Sequence, residues 1–129
     1  MSKTINQQIT FNASPRAVFE ALLDAGQHSA FTGAPAEIER EVGGAFSVYG
    51  GHVQGITVDF KQDERIVQAW RAKCWPEGAY SLATFQLTPE GDKTKLSFVQ
   101  LGVPVDAYED INKGWETMYW SKMKTFLAR

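Results

Sequence analysis

The C-terminal segment, residues 106–129, constrains the fold of this chain more than any other part of the sequence. Large apolar residues recur there at the three- and four-residue spacing that places them on one face of a helix. They are Tyr108, Ile111, Trp115, Met118, Tyr119, Met123 and Phe126. The preceding residues 46–103 have the pattern of short strands separated by turns. We therefore expect the aromatic face of a long helix to pack against one side of a curved sheet.

Turn residues divide the rest of the chain into short elements. Residues 4–11 alternate between polar and apolar side chains, which predicts a strand. Ser14 followed by Pro15 is a typical helix start, and residues 27–32 predict a second short helix. Six further strands are predicted at residues 36–42, 45–49, 54–62, 65–75, 81–88 and 93–101.

These elements predict the α+β class. Consecutive strands joined by short turns pair antiparallel. The expected architecture is a helix-grip: a curved antiparallel sheet of about six or seven strands wrapped around a long C-terminal helix, with two short helices after the first strand. Neither a linker nor an internal repeat divides the chain, so residues 1–129 are expected to form one domain.

The composition excludes several classes of partner. The chain of 129 residues has a formal net charge of -2 and lacks a basic cluster interleaved with aromatic residues, so we expect no nucleic-acid partner. No stretch approaches the ~18 consecutive apolar residues of a membrane span. The N-terminus lacks the apolar run of a signal peptide, and Cys74 is the one cysteine, so a cytoplasmic location is expected.

No motif of catalysis, metal binding or cofactor binding is recognisable. His28 has Asp24 four residues before it, which predicts a solvent-exposed pair on a helix face rather than a metal site. Cys74 lies in a predicted strand with Lys73 on the opposite face, so we expect an unreactive apolar side chain. The sequence therefore predicts no catalytic residues, no metal, no cofactor and no enzymatic activity.

Aromatic residues are the most prominent feature, and most fall on one face of their strand or helix. In residues 54–62 the alternation places Ile56, Val58 and Phe60 on one side of the strand. Such side chains can fill a core or enclose space for a ligand, and both alternatives remain open. The residues predicted to line a space between sheet and helix are Phe46, Val48, Ile56, Trp70, Phe85, Phe98, Trp115 and Tyr119.

Three segments taken together resemble a known family. The first joins residues 30–36 (Ala-Phe-Thr-Gly-Ala-Pro-Ala) to residues 43–46 (Gly-Gly-Ala-Phe). The second is residues 70–78 (Trp-Arg-Ala-Lys-Cys-Trp-Pro-Glu-Gly), and the third combines residues 114–115 (Gly-Trp) with residues 119–120 (Tyr-Trp). In this order they are similar to the C-terminal domain of the activator of the heat-shock protein 90 ATPase. That domain is START-like, in the helix-grip or SRPBCC superfamily, and the resemblance covers nearly the whole chain.

The resemblance implies a non-enzymatic, co-chaperone-like module whose partner is a heat-shock protein 90-type chaperone. Contact is expected through exposed loops on a rigid scaffold. The loop candidates are Thr32, Gly33, Pro35, Pro76, Glu77 and Gly78. The alternative is a carrier or sensor that binds a small hydrophobic molecule between the sheet and the C-terminal helix. A cyclase-type enzyme would require Tyr49, Tyr80 or His52 to face inward with a shifted pKa.

Overall fold

A seven-stranded antiparallel sheet covered on one face by helices forms the architecture in the computed structural model, which describes residues 1–128. The spatial order of the strands is β1-β7-β6-β5-β4-β3-β2. The strands are β1 Ser2–Phe11, β2 Glu37–Ile38, β3 Ala45–Val48, β4 Val53–Lys61, β5 Arg65–Ala72, β6 Ser81–Glu90 and β7 Lys93–Pro104. Every neighbouring pair is antiparallel, which confirms the predicted α+β class and helix-grip arrangement.

Two short helices follow β1, as predicted. Helix α1 spans Pro15–Leu23, and the Ser14 hydroxyl accepts a hydrogen bond from the Ala17 amide at 3.1 Å. Helix α2 spans Ala25–Thr32, and the Asp24 carboxylate accepts a bond from the Gln27 amide at 2.9 Å. These side chains satisfy amides that an isolated helix start would leave without a partner. The prediction that Asp24 pairs with His28 in solvent is therefore wrong.

The C-terminal helix changes from α to π geometry and back. Helix α3 spans Tyr108–Gly114, a π segment spans Trp115–Trp120, and α4 spans Ser121–Leu127. The Ser121 amide donates to the Glu116 carbonyl, five residues earlier. Tyr119 and Trp120 follow Trp115 by four and five residues, and the wider turn brings all three to the buried face. The last residue of the predicted helix, residue 129, lies outside the described residues.

Polar side chains attach this helix to the first strand. The Trp120 indole nitrogen donates to the side-chain oxygen of Gln7 in β1 at 2.6 Å. The Gln7 side-chain nitrogen in turn donates to the Asn112 backbone carbonyl at 2.9 Å and to its side-chain oxygen at 3.0 Å. These bonds fix the angle between helix and sheet, because they join residues more than 100 positions apart at two points along the helix.

A bulge in β4 changes which side chains face the helix. Thr57 pairs with Gln68, but the next pair joins Asp59 to Val67, so Val58 is an extra residue. Val53 and Thr57 are buried before the bulge, and Phe60 packs inward on Phe19 after it, with ring centroids 6.1 Å apart.

The predicted common face of Ile56, Val58 and Phe60 is therefore wrong. Ile56 and Val58 are each 45% exposed on the outer face of the sheet. The prediction assumed an unbroken alternation, and one inserted residue reverses the faces beyond it.

Two predicted strands are shorter than the sequence suggested. The strand predicted at residues 36–42 is reduced to β2, and β5 ends at Ala72 rather than at residue 75. A turn follows Ala72. The Arg71 guanidinium stabilises it by donating to the carbonyls of Trp75 at 3.0 Å and Pro76 at 2.9 Å. Cys74 lies exposed in this turn, so its placement in a strand was wrong.

The core lies between the inner face of the sheet and the helices. It contains the buried apolar side chains of β1 and β5–β7 together with those of α1, α2 and the C-terminal helix. Phe31 of α2 is buried against Tyr119 and Phe126, with ring centroids 5.9 and 6.1 Å apart. Within residues 1–128, no helix is long and apolar enough to cross a lipid bilayer.

Two glycines test the tightness of this packing. A Cβ atom at Gly55 in β4 would lie 1.9 Å from the Ala69 carbonyl oxygen and 2.7 Å from the Phe46 ring. At Gly114, in the C-terminal helix, a Cβ atom would meet nothing within 4 Å. We expect Gly55→Ala to lower the free energy of unfolding by about 1–3 kcal/mol through overpacking. Gly114→Ala is the control and should raise it by about 0.5–1 kcal/mol. Urea unfolding measures both, and equal stability of the two variants would contradict this packing.

Candidate functional site

Trp115 is the centre of an aromatic cluster between the C-terminal helix and the sheet. Its ring centroid lies 4.4 Å from Phe98, 4.6 Å from Tyr119 and 5.6 Å from Trp70. Phe85 lies 5.8 Å away in an edge-on arrangement. These separations fall in the range of favourable aromatic pairs, so the rings fill the space that they enclose.

A chain of buried hydrogen bonds satisfies the polar atoms of this cluster. The Trp115 indole nitrogen donates to the Gln100 side-chain oxygen at 2.8 Å. The Gln100 nitrogen donates to the Ser81 hydroxyl at 2.8 Å, and that hydroxyl donates to the Trp70 carbonyl at 2.8 Å. Gln100 has no exposed surface, so loss of either partner would leave a buried polar group without a hydrogen bond. The network fixes Trp115 relative to β5, β6 and β7.

The enclosed space beside this cluster is small. Its volume is about 20 Å³, which is room for about one water molecule. Six of the eight predicted cavity residues line it: Phe46, Val48, Trp70, Phe85, Trp115 and Tyr119. Phe98 packs behind Trp115 and does not line the space. Ile56 was wrongly placed there, because it faces outward before the β4 bulge.

A larger groove opens to solvent at one end of the same cluster. It has a volume of about 460 Å³, within the range of small-molecule sites. Its lining comprises Tyr49, His52, Val53, Trp70, Asp110, Ile111, Gly114, Trp115, Met118 and Tyr119. Buried aromatic rings form its floor. The exposed side chains of Asp110 and His52 supply a carboxylate and an imidazole at its edge. Of the predicted cavity residues, Trp70, Trp115 and Tyr119 line this groove, and so do Tyr49 and His52, two of the residues named for the cyclase-type alternative. The opening itself was not predicted.

Tyr49 closes one side of this groove. It begins a short 3-10 turn, Tyr49–Gly51, with a φ of 52°, a left-handed conformation that is rare for a residue other than glycine. Its hydroxyl donates to the Met118 carbonyl in the π segment, and its ring lies 5.6 Å from that of Tyr119. Burial raises the pKa of Tyr49 to about 12. The strained turn is thus bonded directly to the irregular part of the helix.

His28 and Tyr119 form a buried pair below the groove. His28 is 5% exposed; its Nε2 lies 3.1 Å from the Tyr119 hydroxyl and its Nδ1 3.2 Å from the Leu22 carbonyl. A carbonyl can only accept, so Nδ1 carries the proton and Nε2 accepts from Tyr119. Burial lowers the pKa of His28 to about 4 and raises the pKa of Tyr119. The helical spacing of His28 and Phe31 was the available signal that His28 shares the buried face.

The residues of the cyclase-type alternative do not converge on one site. Tyr49 and His52 both line the groove, but the Tyr49 hydroxyl is bonded to a backbone carbonyl. Tyr80 is 52% exposed outside the groove, under the Arg71 guanidinium at 5.8 Å. Among the described residues, no group of three His, Cys, Asp or Glu side chains could hold a metal ion.

The predicted partner loops lie along one end of the sheet and are bonded to each other through the 3-10 turn. The Gly50 amide donates to the Pro35 carbonyl at 3.1 Å, and the Lys73 amide donates to the His52 carbonyl at 2.7 Å. We call the exposed residues here the sheet-end loops: Gly33, Pro35, Pro76, Glu77 and Gly78.

Thr32, the sixth predicted loop residue, does not belong to this surface. It is 5% exposed and ends α2, where its hydroxyl donates to the His28 carbonyl at 2.9 Å. Its prediction as a contact residue was wrong, because this bond holds the side chain against the helix that precedes the loop.

The buried His28 makes stability depend on pH. The pKa of His28 is about 6.5 in the unfolded chain and about 4 in the folded chain. Between these pH values only the unfolded state binds the proton. Its contribution to stability is fully present above pH 6.5 and falls as the pH falls toward 4. We expect the stability advantage of the wild type over His28→Gln, which cannot titrate, to shrink by about 2 kcal/mol between pH 7 and pH 5. Urea unfolding at several pH values measures this, and parallel profiles would contradict it.

Comparison with known proteins identifies relatives along nearly the whole chain. A family model described as "Activator of Hsp90 ATPase homolog 1-like protein" matches residues 12–128. A Dictyostelium discoideum protein named activator of 90 kDa heat shock protein ATPase homolog is 32% identical over 124 residues, which cover 95% of this chain and 32% of that protein. The human activator of 90 kDa heat shock protein ATPase homolog 1 is 32% identical over 115 residues, covering 89% of this chain and 34% of the human protein. The chain thus spans about a third of the length of these curated relatives.

Solved structures show the same fold. The crystal structure of an HSP90 activator from Plasmodium falciparum superimposes with a TM-score of 0.92 at 23% identity. The alignment covers 97% of this chain and 96% of that chain. At this identity the likeness concerns the fold alone, and it agrees with the seven-stranded helix-grip arrangement described above.

Proposed function

The chain belongs to the family of Activator of Hsp90 ATPase homolog 1-like proteins, and on that premise we propose that it is a co-chaperone-like module that binds an Hsp90-type chaperone. The family match over residues 12–128 carries this proposal. The relatives are named as activators of another protein's ATPase, so the module acts as a regulator and not as an enzyme. The packed aromatic interior is consistent with recognition through the surface, since it leaves about 20 Å³ free inside.

The sheet-end loops are the surface that we assign to the chaperone. They are exposed, but backbone hydrogen bonds to the 3-10 turn and the bonds from Arg71 hold them in place. A loop that is already ordered loses less conformational entropy on binding than a mobile one. Glu77 is the exposed charge at the centre of the residue 76–78 loop, so it is the side chain whose change would affect association most directly.

Titration of labelled protein with an Hsp90 homologue tests this assignment. We expect amide shifts at Gly33, Glu77 and Gly78, and we expect Glu77→Arg to weaken binding about two- to fivefold, as for an exposed interface charge. Glu90→Arg is the matched control, because Glu90 is also exposed but is the last residue of β6, beside the turn to β7. Absence of shifts at high micromolar chaperone, or an equal effect of Glu90→Arg, would contradict the assignment.

A second candidate function, binding of a small hydrophobic molecule, is favoured by the open groove. Its volume of about 460 Å³ suits a ligand of drug size, and its floor consists of Trp70, Trp115 and Tyr119. Flat apolar ligands stack well on such rings, and Asp110 or His52 can contact a polar end of the molecule. The ligand would enter from the side of the helix rather than occupy the packed interior.

Gly114 allows the groove to be closed without disturbing the core. A Cβ atom there meets nothing within 4 Å, and Gly114 itself lines the groove. We expect Gly114→Phe to weaken binding of the fluorescent probe 1-aminoanthracene by about tenfold or more, because the added ring occupies the same space. Gly114→Ala is the control and should bind the probe as the wild type does. Equal probe affinity of the Phe variant and the wild type would exclude the groove as the binding site.

A further inference from the structure

The outer face of the sheet carries an apolar row that none of the helices described within residues 1–128 covers. The register pairs Ala45 with Ile56, Ile56 with Ala69, Ala69 with Leu82, and Leu82 with Leu101. These five residues therefore form one line across β3, β4, β5, β6 and β7. Ile56 is 45% exposed, Leu82 39% and Leu101 49%, so the row faces solvent. Contiguous exposed apolar surface of this kind is typical of an interaction site.

A second row and two polar borders complete this face. In the neighbouring register row, Asp59 pairs with Val67, Val67 with Thr84, Thr84 with Val99 and Val99 with Asn6, and Val58 lies beside Asp59 at the bulge. Polar residues border these two rows on both sides: Glu37, Ser47, Gln54 and Arg71 on one, and Lys61, Arg65, Gln86, Ser97 and Gln8 on the other. An apolar centre with a polar border is the usual composition of a protein–protein interface. We call these residues the outer-face patch.

The shape of the row is complementary to itself. Ala69 is short and half-buried, whereas its neighbours Ile56 and Leu82 project from the strands on either side, so a notch lies over Ala69. A twofold axis parallel to the strands and midway between β5 and β6 would place Leu82 of each copy in the notch of the other. The same axis places Ile56 of one copy opposite Leu101 of the other.

We propose that the outer-face patch is the surface through which two copies of this chain associate. In such a symmetric interface each contact occurs twice, with the partners exchanged. The two sheets would pack face to face at a separation of about 10 Å. This inference goes beyond the proposed chaperone function and does not depend on it.

The charges of the patch favour a second copy as its occupant. The patch and its borders carry charges of both signs, Glu37 and Asp59 against Lys61, Arg65 and Arg71. The Arg65 guanidinium is paired with the Asp59 carboxylate at 2.8 Å, and the Lys61 ammonium with the Glu64 carboxylate at 3.3 Å. Arg71 donates to the carbonyls of Trp75 and Pro76 and covers the Tyr80 ring. Two identical faces that carry charges of both signs meet without the like-charge repulsion that separates surfaces of a single strong charge.

The size of the patch indicates a weak dimer. Five strands at about 4.8 Å and four residue rows at about 7 Å give a face of about 650 Å². Standard stable interfaces bury about 800 Å² on each partner, so this face lies at the low end of the range. We therefore expect reversible association at tens to hundreds of micromolar rather than a permanent dimer.

Sedimentation of the full chain at increasing concentration tests the association. We expect a concentration-dependent shift from monomer to dimer in the wild type and none in Leu82→Lys, which buries a charge in the notch. Met118→Lys is the matched control for dimer formation, because Met118 is similarly exposed, at 42%, but lines the groove on the helix side of the sheet. A wild type that stays monomeric up to about 1 mM, or a dimer that survives Leu82→Lys but not Met118→Lys, would overturn the proposal.

Cross-linking tests the geometry of the dimer independently. Two single variants, Ile56→Cys and Leu101→Cys, are made with Cys74→Ser, mixed, and treated with a bis-maleimide whose span is about 8 Å. The proposed axis predicts efficient cross-linking between the two different variants and little in either variant alone, since equivalent positions lie on opposite sides of the axis. Equal cross-linking in all three samples would overturn the proposed pairing.

If Leu82→Lys leaves the chain monomeric like the wild type but weakens chaperone binding, the patch belongs to the chaperone and the proposal is wrong.

Discussion

The hydrogen-bonded position of Trp115 is the constraint on which the rest of this structure depends. Its indole nitrogen reaches Gln100, and through Gln100 and Ser81 it is connected to the backbone of β5. Ring packing alone would tolerate several orientations of a large apolar side chain, but a buried indole N–H without a partner is costly. The network therefore selects one orientation, and that orientation determines how the C-terminal helix lies on the sheet.

The π segment is the consequence of that constraint along the helix. With Trp115 and Tyr119 both buried, an α-helix would turn Trp120 away from the sheet, whereas the wider turn lets it reach Gln7 in β1. The same irregular turn directs the Met118 carbonyl to the Tyr49 hydroxyl. The groove is thus lined in part by the segment where the helix departs from regular geometry and three aromatic residues are buried together.

How far the sequence predicts this molecule depends on whether a feature repeats along the chain. The apolar stripe of the C-terminal helix and the alternation in β1 and β5–β7 are periodic, so class and architecture could be predicted from them. The bulge at Val58 is a single inserted residue without a sequence signature, and because of it Ile56 and Phe60 face opposite sides of the sheet. The helical spacing of His28 and Phe31 indicates a shared buried face, but the group that satisfies His28, the Tyr119 hydroxyl, lies 91 positions away, beyond any local pattern.

Strand β5 relates the groove to the outer-face patch. Trp70 faces inward to the groove floor, and its neighbour Ala69 faces outward to the notch, so consecutive residues serve opposite surfaces. Coupling between the two surfaces would require β5 to move. Hydrogen bonds to β4 and β6 on both sides, and the Ser81 bond to the Trp70 carbonyl, hold the strand in place. A densely packed interior of this kind resists continuous deformation. We therefore expect the two surfaces to act independently, so that a ligand in the groove would leave the outer face unchanged.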